Sequence, residues 1–294
     1  MSDKPFSSPV FPSSSSLAAS TAQSEAAPTP KPGWREVWRV YSEAATLRML
    51  LLGFSAGLPL LLVFGTLSFW LREAGIDRTT IGYLSWVGLA YGFKWAWAPL
   101  VDRLPIPLLT RWLGRRRSWL LLSQVTIMVA LVCMALTDPK LALLPVVWCA
   151  LAVAFGSATQ DIALDAYRIE SADIQRQAAL AAAYQTSYRL AMIWSGAGAL
   201  WIAARAEIAG VAAYQHDAWQ TAYLVMAASM LLGVVTVLCS PEPQRRELPP
   251  SKNAADWLKG ALIEPFADFL RRYGKQALLI LALIAMYRIS DVVM

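Results

Sequence analysis

Apolar segments long enough to cross a lipid bilayer recur along the whole of this 294-residue chain. A hydrocarbon core about 30 Å thick is crossed by about 20 apolar residues, since an α-helix rises about 1.5 Å per residue. Backbone polar groups in lipid must be satisfied within the segment itself, which favours helices. Hydrophobic residues make up 57% of the chain and charged residues only 16%, a balance that is atypical of soluble globular domains. The sequence therefore predicts an all-α polytopic membrane protein.

The predicted spans divide the chain into four parts. Residues 1–33 are rich in Ser, Ala and Pro, so we expect a disordered tail there. Residues 34–240 are expected to form an N-terminal six-helix transmembrane bundle, 241–275 a cytoplasmic linker between bundles, and 276–294 the start of a seventh transmembrane helix. The predicted spans are 49–71, 81–100, 119–136, a fourth that begins at about 141, 178–204, 221–240 and 277–294.

The distribution of basic residues predicts the side of the membrane on which each loop lies. Most lysines and arginines that flank the spans fall on the same side as the N-terminus, while the loops of the other side hold Arg72, Arg78, Lys140 and Arg205. Because cytoplasmic loops carry an excess of Lys and Arg, we expect the N-terminus to be cytoplasmic. The net charge of +6 is therefore interpreted as a sign of membrane topology, with no nucleic acid as a partner.

Two carboxylates follow an apolar run without breaking its helical pattern. The stretch AFGSATQDIALDAYRIE, residues 154–170, carries Asp161 and Asp165 four residues apart, with Arg168 close behind. On a helix these residues share one face. Ionised groups at membrane depth are costly unless they meet a partner or a water-filled cavity, so they indicate a functional site. The alternative is that the helix ends early and both carboxylates are solvated in a cytoplasmic loop.

Other charges fall inside neighbouring predicted spans. Arg189 lies well within the fifth span and needs a partner, which Asp161 or Asp165 of the adjacent antiparallel helix would supply. Lys94, in the second span, either extends to the inner headgroups or faces the interior of the bundle, and the sequence leaves both possibilities open.

The last apolar run carries a further pair of charges. Arg288 and Asp291 are three residues apart on one face of the predicted helix, so they can pair with each other. The candidate proton-coupling or buried charge network therefore comprises Lys94, Asp161, Asp165, Arg189, Arg288 and Asp291.

Cysteine and histidine usage predicts neither a metal site nor a cofactor. Cys133, Cys149 and Cys239 fall inside predicted spans without a C-x-x-C spacing, and His216 is the single histidine. The sequence also contains no H-E-x-x-H motif and no Gly-rich phosphate loop. These absences argue against a membrane-bound enzyme acting on lipid-linked sugars, which is the rival interpretation from a different class.

The junction between the second and third spans resembles the signature loop of major facilitator superfamily transporters. In that loop an Asp-Arg pair precedes a Gly-Arg-basic run, as APLVDR, residues 98–103, precedes GRRR, residues 114–117, in this chain. The insertion LPIPLLTRWL between the two halves is longer than the usual pattern. The resemblance implies an inner-side latch, which comprises Asp102, Arg103, Gly114, Arg115, Arg116 and Arg117.

The chain from about residue 49 onwards resembles the muropeptide permease, or AmpG-type, branch of that superfamily. The block that contains Gln160, Asp161 and Asp165 is the most specific part of the resemblance. The residues that carry it are GFSAGLP (53–59), GTL (65–67), TIG (80–82), YGFKWAWAPLVDR (91–103), GRRRSWLL (114–121), SATQDIALDAYR (157–168), YRLAMIWSG (188–196), PEP (241–243) and ALIAMYRISD (282–291).

This resemblance implies a proton-driven importer in the bacterial cell inner membrane. Its substrates would be anhydromuropeptides, GlcNAc-anhydroMurNAc with or without peptide, taken up for peptidoglycan recycling. Family members have two six-helix bundles with the substrate path between them, so we expect this chain to be a fragment from which the C-terminal bundle is missing. In the complete transporter, Asp161 or Asp165 would change protonation as Arg189 exchanges partners.

The same resemblance implies that polar and aromatic side chains near the charges line the substrate path. Tryptophans are able to stack on sugar faces, although most of those present, such as Trp86, Trp95 and Trp97, are more typical of core or interfacial anchors. The predicted substrate-path residues are Gln160, Tyr184, Tyr188 and Trp194.

Two other functions share this general pattern. An acetyl-CoA carrier of a related branch is the alternative within transport, although its substrate would call for a larger basic cavity than Lys94 and Arg189 provide. A membrane interaction protein that binds without transporting is the other alternative, and binding without uptake would identify it.

Overall fold

The computed structural model describes residues 41–172, 174–208, 213–243, 264–274, 276–283 and 286. The chain divides into two units, Met1–Tyr41 and Ser42–Met294, and all of the helices described below lie in the second unit. The described residues are mostly helical and contain no strand, which confirms the predicted all-α class. The predicted tail, most of the predicted linker and residues 287–294 lie outside the described residues.

The helices are numbered here in chain order. They are α1 (Ala44–Glu73), α2 (Arg78–Leu84), α3 (Leu89–Gly92), α4 (Ala98–Arg103), α5 (Leu109–Leu113), α6 (Arg115–Ala135), α7 (Leu143–Ser171), α8 (Ile174–Ile193, continued by Trp194–Gly198 and Ala199–Ala206), α9 (His216–Cys239) and α10 (Glu264–Tyr273). Residues 276–283 are also helical.

Four of these helices, α1, α6, α7 and α9, are long and apolar enough to cross a membrane. They coincide with the first, third, fourth and sixth predicted spans, so the prediction of a polytopic membrane protein is confirmed. Helix α8 covers the predicted fifth span without interruption, but it is not among the four. The six-helix bundle as a domain therefore stays a prediction.

The predicted second span, 81–100, is not one continuous helix. Helices α2, α3 and α4 are instead joined by 3₁₀ turns at Ser85–Gly88 and Lys94–Ala96. Glycine weakens a helix, and Gly88 and Gly92 lie at the two points where α-helical geometry is interrupted. The consequence is a segment whose side chains do not follow a single helical face.

Asp77 caps the start of this interrupted segment. Its carboxylate accepts the backbone N–H of Thr80 at 2.9 Å and the hydroxyl of Thr80 at 2.7 Å. Both hydrogen bonds favour the ionised form and lower the pKa of the exposed Asp77 carboxyl. Capping of this kind explains why α2 begins directly after a short loop.

Helix α1 contains a wide turn shortly after Pro59. Leu62–Thr66 form a π-helical turn, as is common where a proline removes a backbone donor. The phenol of Tyr223 donates to the carbonyl of Leu62 at 3.0 Å, which gives a carbonyl of this turn a partner. The hydroxyl of Thr66 donates to the carbonyl of Ser195, within the π-helical turn of α8, at 2.8 Å. The two irregular turns are thus joined to each other.

Aromatic side chains pack where the end of α1 meets the start of α9. The Trp70 ring lies 4.8 Å from the Tyr223 ring and 6.0 Å from the Trp219 ring, measured between centroids. The indole N–H of Trp219 donates to Glu73 at 3.0 Å, and that of Trp70 donates to the phenol of Tyr214 at 3.0 Å. Each aromatic pair is worth about 0.5–1.5 kcal/mol beyond its buried area.

Two glycines let α1 and α8 approach each other closely. A Cβ atom added at Gly53 would lie 2.7 Å from the carbonyl oxygen of Tyr184, and one added at Gly57 would clash with the carbonyl oxygen of Tyr188. Small residues four apart permit such contacts between membrane helices, where backbone packing replaces hydrophobic attraction. The close approach indicated by the GFSAG spacing is therefore confirmed.

We expect Gly57→Ala to destabilise the protein by about 1–3 kcal/mol, because an added methyl group overpacks the contact with α8. Gly65→Ala is a matched control in the same helix, since the nearest atom to an added Cβ there is 3.6 Å away. The control should be neutral or slightly stabilising. Thermal unfolding of the purified chain in detergent measures the difference. Equal unfolding temperatures for the two variants would contradict the contact.

Candidate functional site

Helix α7 continues well past both candidate carboxylates. It runs from Leu143 to Ser171, so the alternative in which the helix ends early and leaves both acids in a loop is wrong. The side chain of Asp161 is only 14% exposed, whereas that of Asp165 is 53% exposed. One carboxylate is therefore enclosed by the fold, and the other is open.

The enclosed carboxylate pairs with a lysine from the interrupted second segment. Lys94 begins the 3₁₀ turn Lys94–Ala96, shortly after α3 ends. Its Nζ lies 3.8 Å from Oδ2 of Asp161. Opposite charges at this separation stabilise each other more strongly when they are shielded from water. The Lys94 side chain is 32% exposed, so it contacts Asp161 while part of it stays open, and its orientation relative to the membrane stays a prediction.

The ion pairs of the described residues do not include the predicted pairing of Arg189 with Asp161 or Asp165. Asp161 pairs with Lys94, and Asp165 pairs with Arg168 at an Nη2–Oδ1 distance of 3.3 Å. Arg189 is exposed on α8. The physical reason lies in the break after α3, which lets Lys94 reach α7 from a segment that the sequence suggested was a regular helix.

Two tyrosines of α8 lie beside these carboxylates. The ring centroids of Tyr184 and Tyr188 are 5.8 Å apart, and the guanidinium of Arg168 lies 5.8 Å from the centroid of the Tyr184 ring. Asp161 is close enough to act electrostatically on the phenols of Tyr184 and Tyr91. Lys94, Asp161 and these phenols together offer a shielded charge pair beside several hydroxyl groups.

The other two predicted substrate-path residues take part in contacts between helices. Gln160 is fully buried and donates from Nε2 to Oγ of Ser55 at 3.0 Å. Gln124 donates to the same oxygen at 3.2 Å, so α1, α6 and α7 meet at a buried polar contact. Trp194 donates from its indole N–H to Ser229 of α9 at 3.2 Å. The hydrogen bonds of Gln160 and Trp194 therefore join helices to each other.

A buried arginine organises the predicted inner-side latch. The side chain of Arg116, 8% exposed, donates from Nη1 to Oδ1 of Asp102 at 2.7 Å. It also donates from Nε and Nη2 to the two carboxylate oxygens of Glu170 at 3.0 and 2.6 Å. A guanidinium fork matches a carboxylate in this bidentate geometry. One arginine thus joins the ends of α4, α6 and α7.

A second carboxylate closes the same end of α6. The two oxygens of Glu242 accept the backbone N–H groups of Arg116 and Arg117 at 2.8 and 3.1 Å. A helix N-terminus leaves such groups without partners, and its dipole favours an anion. Gly114 precedes the helix with φ of +86°, and a Cβ atom there would clash with Glu242. The positive φ favours glycine at this position, and an added Cβ atom would also displace the side chain of Glu242.

The remaining arginines of the latch have different environments. Arg117 donates from Nε to the carbonyl of Val237 at 2.9 Å and from Nη2 to the carbonyl of Leu238 at 2.6 Å. A cation at these carbonyls also complements the negative end of the α9 dipole. Arg103 and Arg115 are half-buried. The basic run therefore mainly connects the ends of neighbouring helices through hydrogen bonds and ion pairs.

Sequence reasoning identified Asp102 and Arg116 but missed the two acids that complete the latch. Glu170 ends the AFGSATQDIALDAYRIE stretch, and Glu242 stands between two prolines after α9. They bind Arg116 across separations of 54 and 126 residues. The sequence did contain a signal for them. The predicted fourth and sixth spans end on the same side of the membrane as the basic run, and an acid lies at or just after the end of each.

Some predicted features lie beyond what the structure describes. Arg288 and Asp291 are outside the described residues, so their pairing stays a prediction. Within the described ranges, no group of three or more His, Cys, Asp or Glu side chains could hold a metal ion. The three cysteines are free. The described residues thus contain a partly enclosed ion pair, Lys94–Asp161, and a cluster of ion pairs around Arg116.

Comparison with known proteins supports a transporter. The chain is 37% identical over 253 residues to the anhydromuropeptide permease of Escherichia coli (strain K12), a match that covers 86% of this chain and 47% of the permease. It is 32% identical over 256 residues to a Rickettsia felis protein named as transporter AmpG 4, covering 87% of this chain and 59% of that protein. A family model described as acetyl-coenzyme A transporter 1 matches residues 46–145. The chain spans about half the length of these relatives.

Proposed function

This chain belongs to the AmpG-type family of anhydromuropeptide permeases, and we propose that it forms the proton-coupling half of an importer of anhydromuropeptides. The importer would act in the bacterial inner membrane with the N-terminus of this chain in the cytoplasm. Its partners would be the peptidoglycan fragment, protons, the lipid bilayer and a second bundle of transmembrane helices.

The observation that carries the proposal is the ion pair between Lys94 and Asp161. A carboxylate acts as a proton carrier only when its two protonation states are close in free energy. Asp161 is the enclosed carboxylate of α7, with a side chain only 14% exposed, and Nζ of Lys94 lies 3.8 Å from its Oδ2. Protonation of Asp161 would remove its charge and release Lys94, which would then need another partner. Asp165 is too open to solvent to couple in this way.

The latch would couple the protonation of Asp161 to a movement of helices. Arg116 holds α4, α6 and α7 together at one end of the bundle through Asp102 and Glu170. A guanidinium and a carboxylate lose most of their attraction once water separates them, so this buried arrangement would be either closed or open. We assign the latch to the conformation that is closed on the cytoplasmic side.

The test is transport by proteoliposomes that contain this chain joined to the part of the Escherichia coli permease that it does not cover, called here the joined transporter. We expect uptake of labelled anhydromuropeptide that needs an imposed proton gradient and disappears with an uncoupler. The controls are this chain alone and the Escherichia coli part alone. Absence of uptake by a correctly inserted joined transporter would overturn the proposal.

An acetyl-CoA carrier is the second candidate function, because the acetyl-coenzyme A transporter model matches residues 46–145. The same proteoliposomes separate the two functions when they are offered labelled acetyl-CoA. Uptake of acetyl-CoA but not anhydromuropeptide would favour this second candidate. Binding of anhydromuropeptide without any uptake would instead indicate a membrane interaction protein that does not transport.

A further inference from the structure

Helix α10 has a polar side and an apolar side. At about 100° per residue, residues three and four apart fall on the same side of a helix. The polar side carries Asp268, Arg271 and Arg272, and the apolar side carries Phe269, Leu270 and Tyr273. Arg272 pairs with Asp268 at 3.0 Å on the first side, and the rings of Phe269 and Tyr273 lie 5.0 Å apart on the second.

The apolar side of α10 is exposed. Leu270 is 51% exposed, Tyr273 is also exposed, and Phe269 is only partly buried. Contiguous apolar side chains are costly in water, so this side of α10 is a candidate surface for contact with another molecule. The surface that covers the apolar side of α10 has to accommodate both the apolar side chains and the two arginines at the end of the helix.

The chain that follows α10 indicates what that contact is. Gly274, at φ of +50°, ends the helix with its N–H bonded to the carbonyl of Leu270 at 2.8 Å, which is a common left-handed helix terminus. Residues 276–283 then form a second helical stretch with exposed leucines, among them Leu278 and Leu279. An amphipathic helix followed in the chain by an apolar helical stretch is typical of a chain that lies on a bilayer before entering it.

We propose that α10 lies on the surface of an anionic phospholipid bilayer. Phe269, Leu270 and Tyr273 enter the boundary between headgroups and acyl chains. Arg271 and Arg272 bind the phosphate groups of anionic lipids, to which their charge is complementary. The proposal does not depend on the transport function, because it rests only on the two sides of α10 and on the turn at Gly274.

The test measures the depth of spin labels on the two sides of α10 in the full chain. The background replaces Cys133, Cys149 and Cys239 with serine, and the labels are attached to Leu270→Cys or, as a matched control, Asp268→Cys. In nanodiscs of phosphatidylcholine with about one third phosphatidylglycerol, the label at 270 should be several-fold more accessible to oxygen than to a nickel chelate, and the label at 268 the reverse. Equal nickel accessibility at both positions would overturn the proposal. Low accessibility to both reagents at 270 would also overturn it, because a protein surface, such as a second copy, would then cover α10.

A second measurement isolates the role of the arginines. Arg271→Gln combined with Arg272→Gln, in the chain labelled at position 270, should weaken binding of the helix by about fivefold per arginine, so that the depth signal falls to its value in pure phosphatidylcholine. High salt should have the same effect. Depth that is unchanged by the two substitutions, by salt and by anionic lipid would overturn the assignment of the arginines to headgroups.

Discussion

Asp161→Asn is expected to abolish accumulation of anhydromuropeptide by the joined transporter. Asparagine keeps the shape of the side chain but cannot take up or release a proton, so the proton gradient no longer drives uptake. One charge that crosses a potential of about 100 mV supplies about 2.3 kcal/mol, which corresponds to roughly 50-fold accumulation. The steady-state ratio of substrate inside to outside should therefore fall by roughly that factor.

Asp165→Asn is the matched control, because it makes the same change four residues along the same helix at a side chain that is 53% exposed. We expect it to retain accumulation within about twofold, in line with its weak, solvent-exposed ion pair. Facilitated exchange of labelled for unlabelled substrate should persist in Asp161→Asn and show that the protein is folded. If Asp165→Asn lost accumulation and Asp161→Asn kept it, the assignment of the proton to Asp161 would be wrong.

Substitution of Lys94, the ion-pair partner of Asp161, is tested in the same accumulation assay. Lys94→Met leaves Asp161, a side chain only 14% exposed, without the cation 3.8 Å away. Accumulation should fall. Arg189→Met is the corresponding change at an exposed cation and should retain accumulation.

Arg116→Ala should produce the largest loss of stability among the charged residues of the latch. Its removal leaves Glu170, with a side chain only 16% exposed, without its bidentate partner. Breaking a buried ion pair from one side typically costs about 3–5 kcal/mol, because the remaining charge is not compensated. Asp102 is much more open, so it contributes little to this figure. Unfolding of the purified chain in detergent, followed by circular dichroism, measures the loss.

Arg111→Ala is the matched control for this prediction. Arg111 is exposed and belongs to none of the ion pairs among the described residues, so its removal should cost no more than about 0.5 kcal/mol. Arg116→Met combined with Glu170→Gln removes both charges and should recover part of the stability lost in Arg116→Ala. Equal stability of Arg116→Ala and Arg111→Ala would show that the latch does not hold these helix ends together.

The amino-acid sequence by itself determined the class of the protein and much of its helical layout. Predicted spans at 49–71, 119–136 and 221–240 correspond to α1, α6 and α9, because about twenty apolar residues in a row leave a helix as the stable structure in lipid. The four-residue spacing of Gly53 and Gly57 was also sufficient to predict that α1 packs closely against another helix there. These features depend on neighbours in the chain, and the sequence shows them directly.

Only the tertiary structure decided which charges meet. The cation beside Asp161 is Lys94 and not Arg189, because the second segment breaks after α3 and turns its lysine towards α7. Arg116 finds Glu170, 54 residues away, where two helix ends converge. Charge pairing depends on distances of a few ångströms between distant parts of the chain, and helical periodicity carries no information about which ends converge.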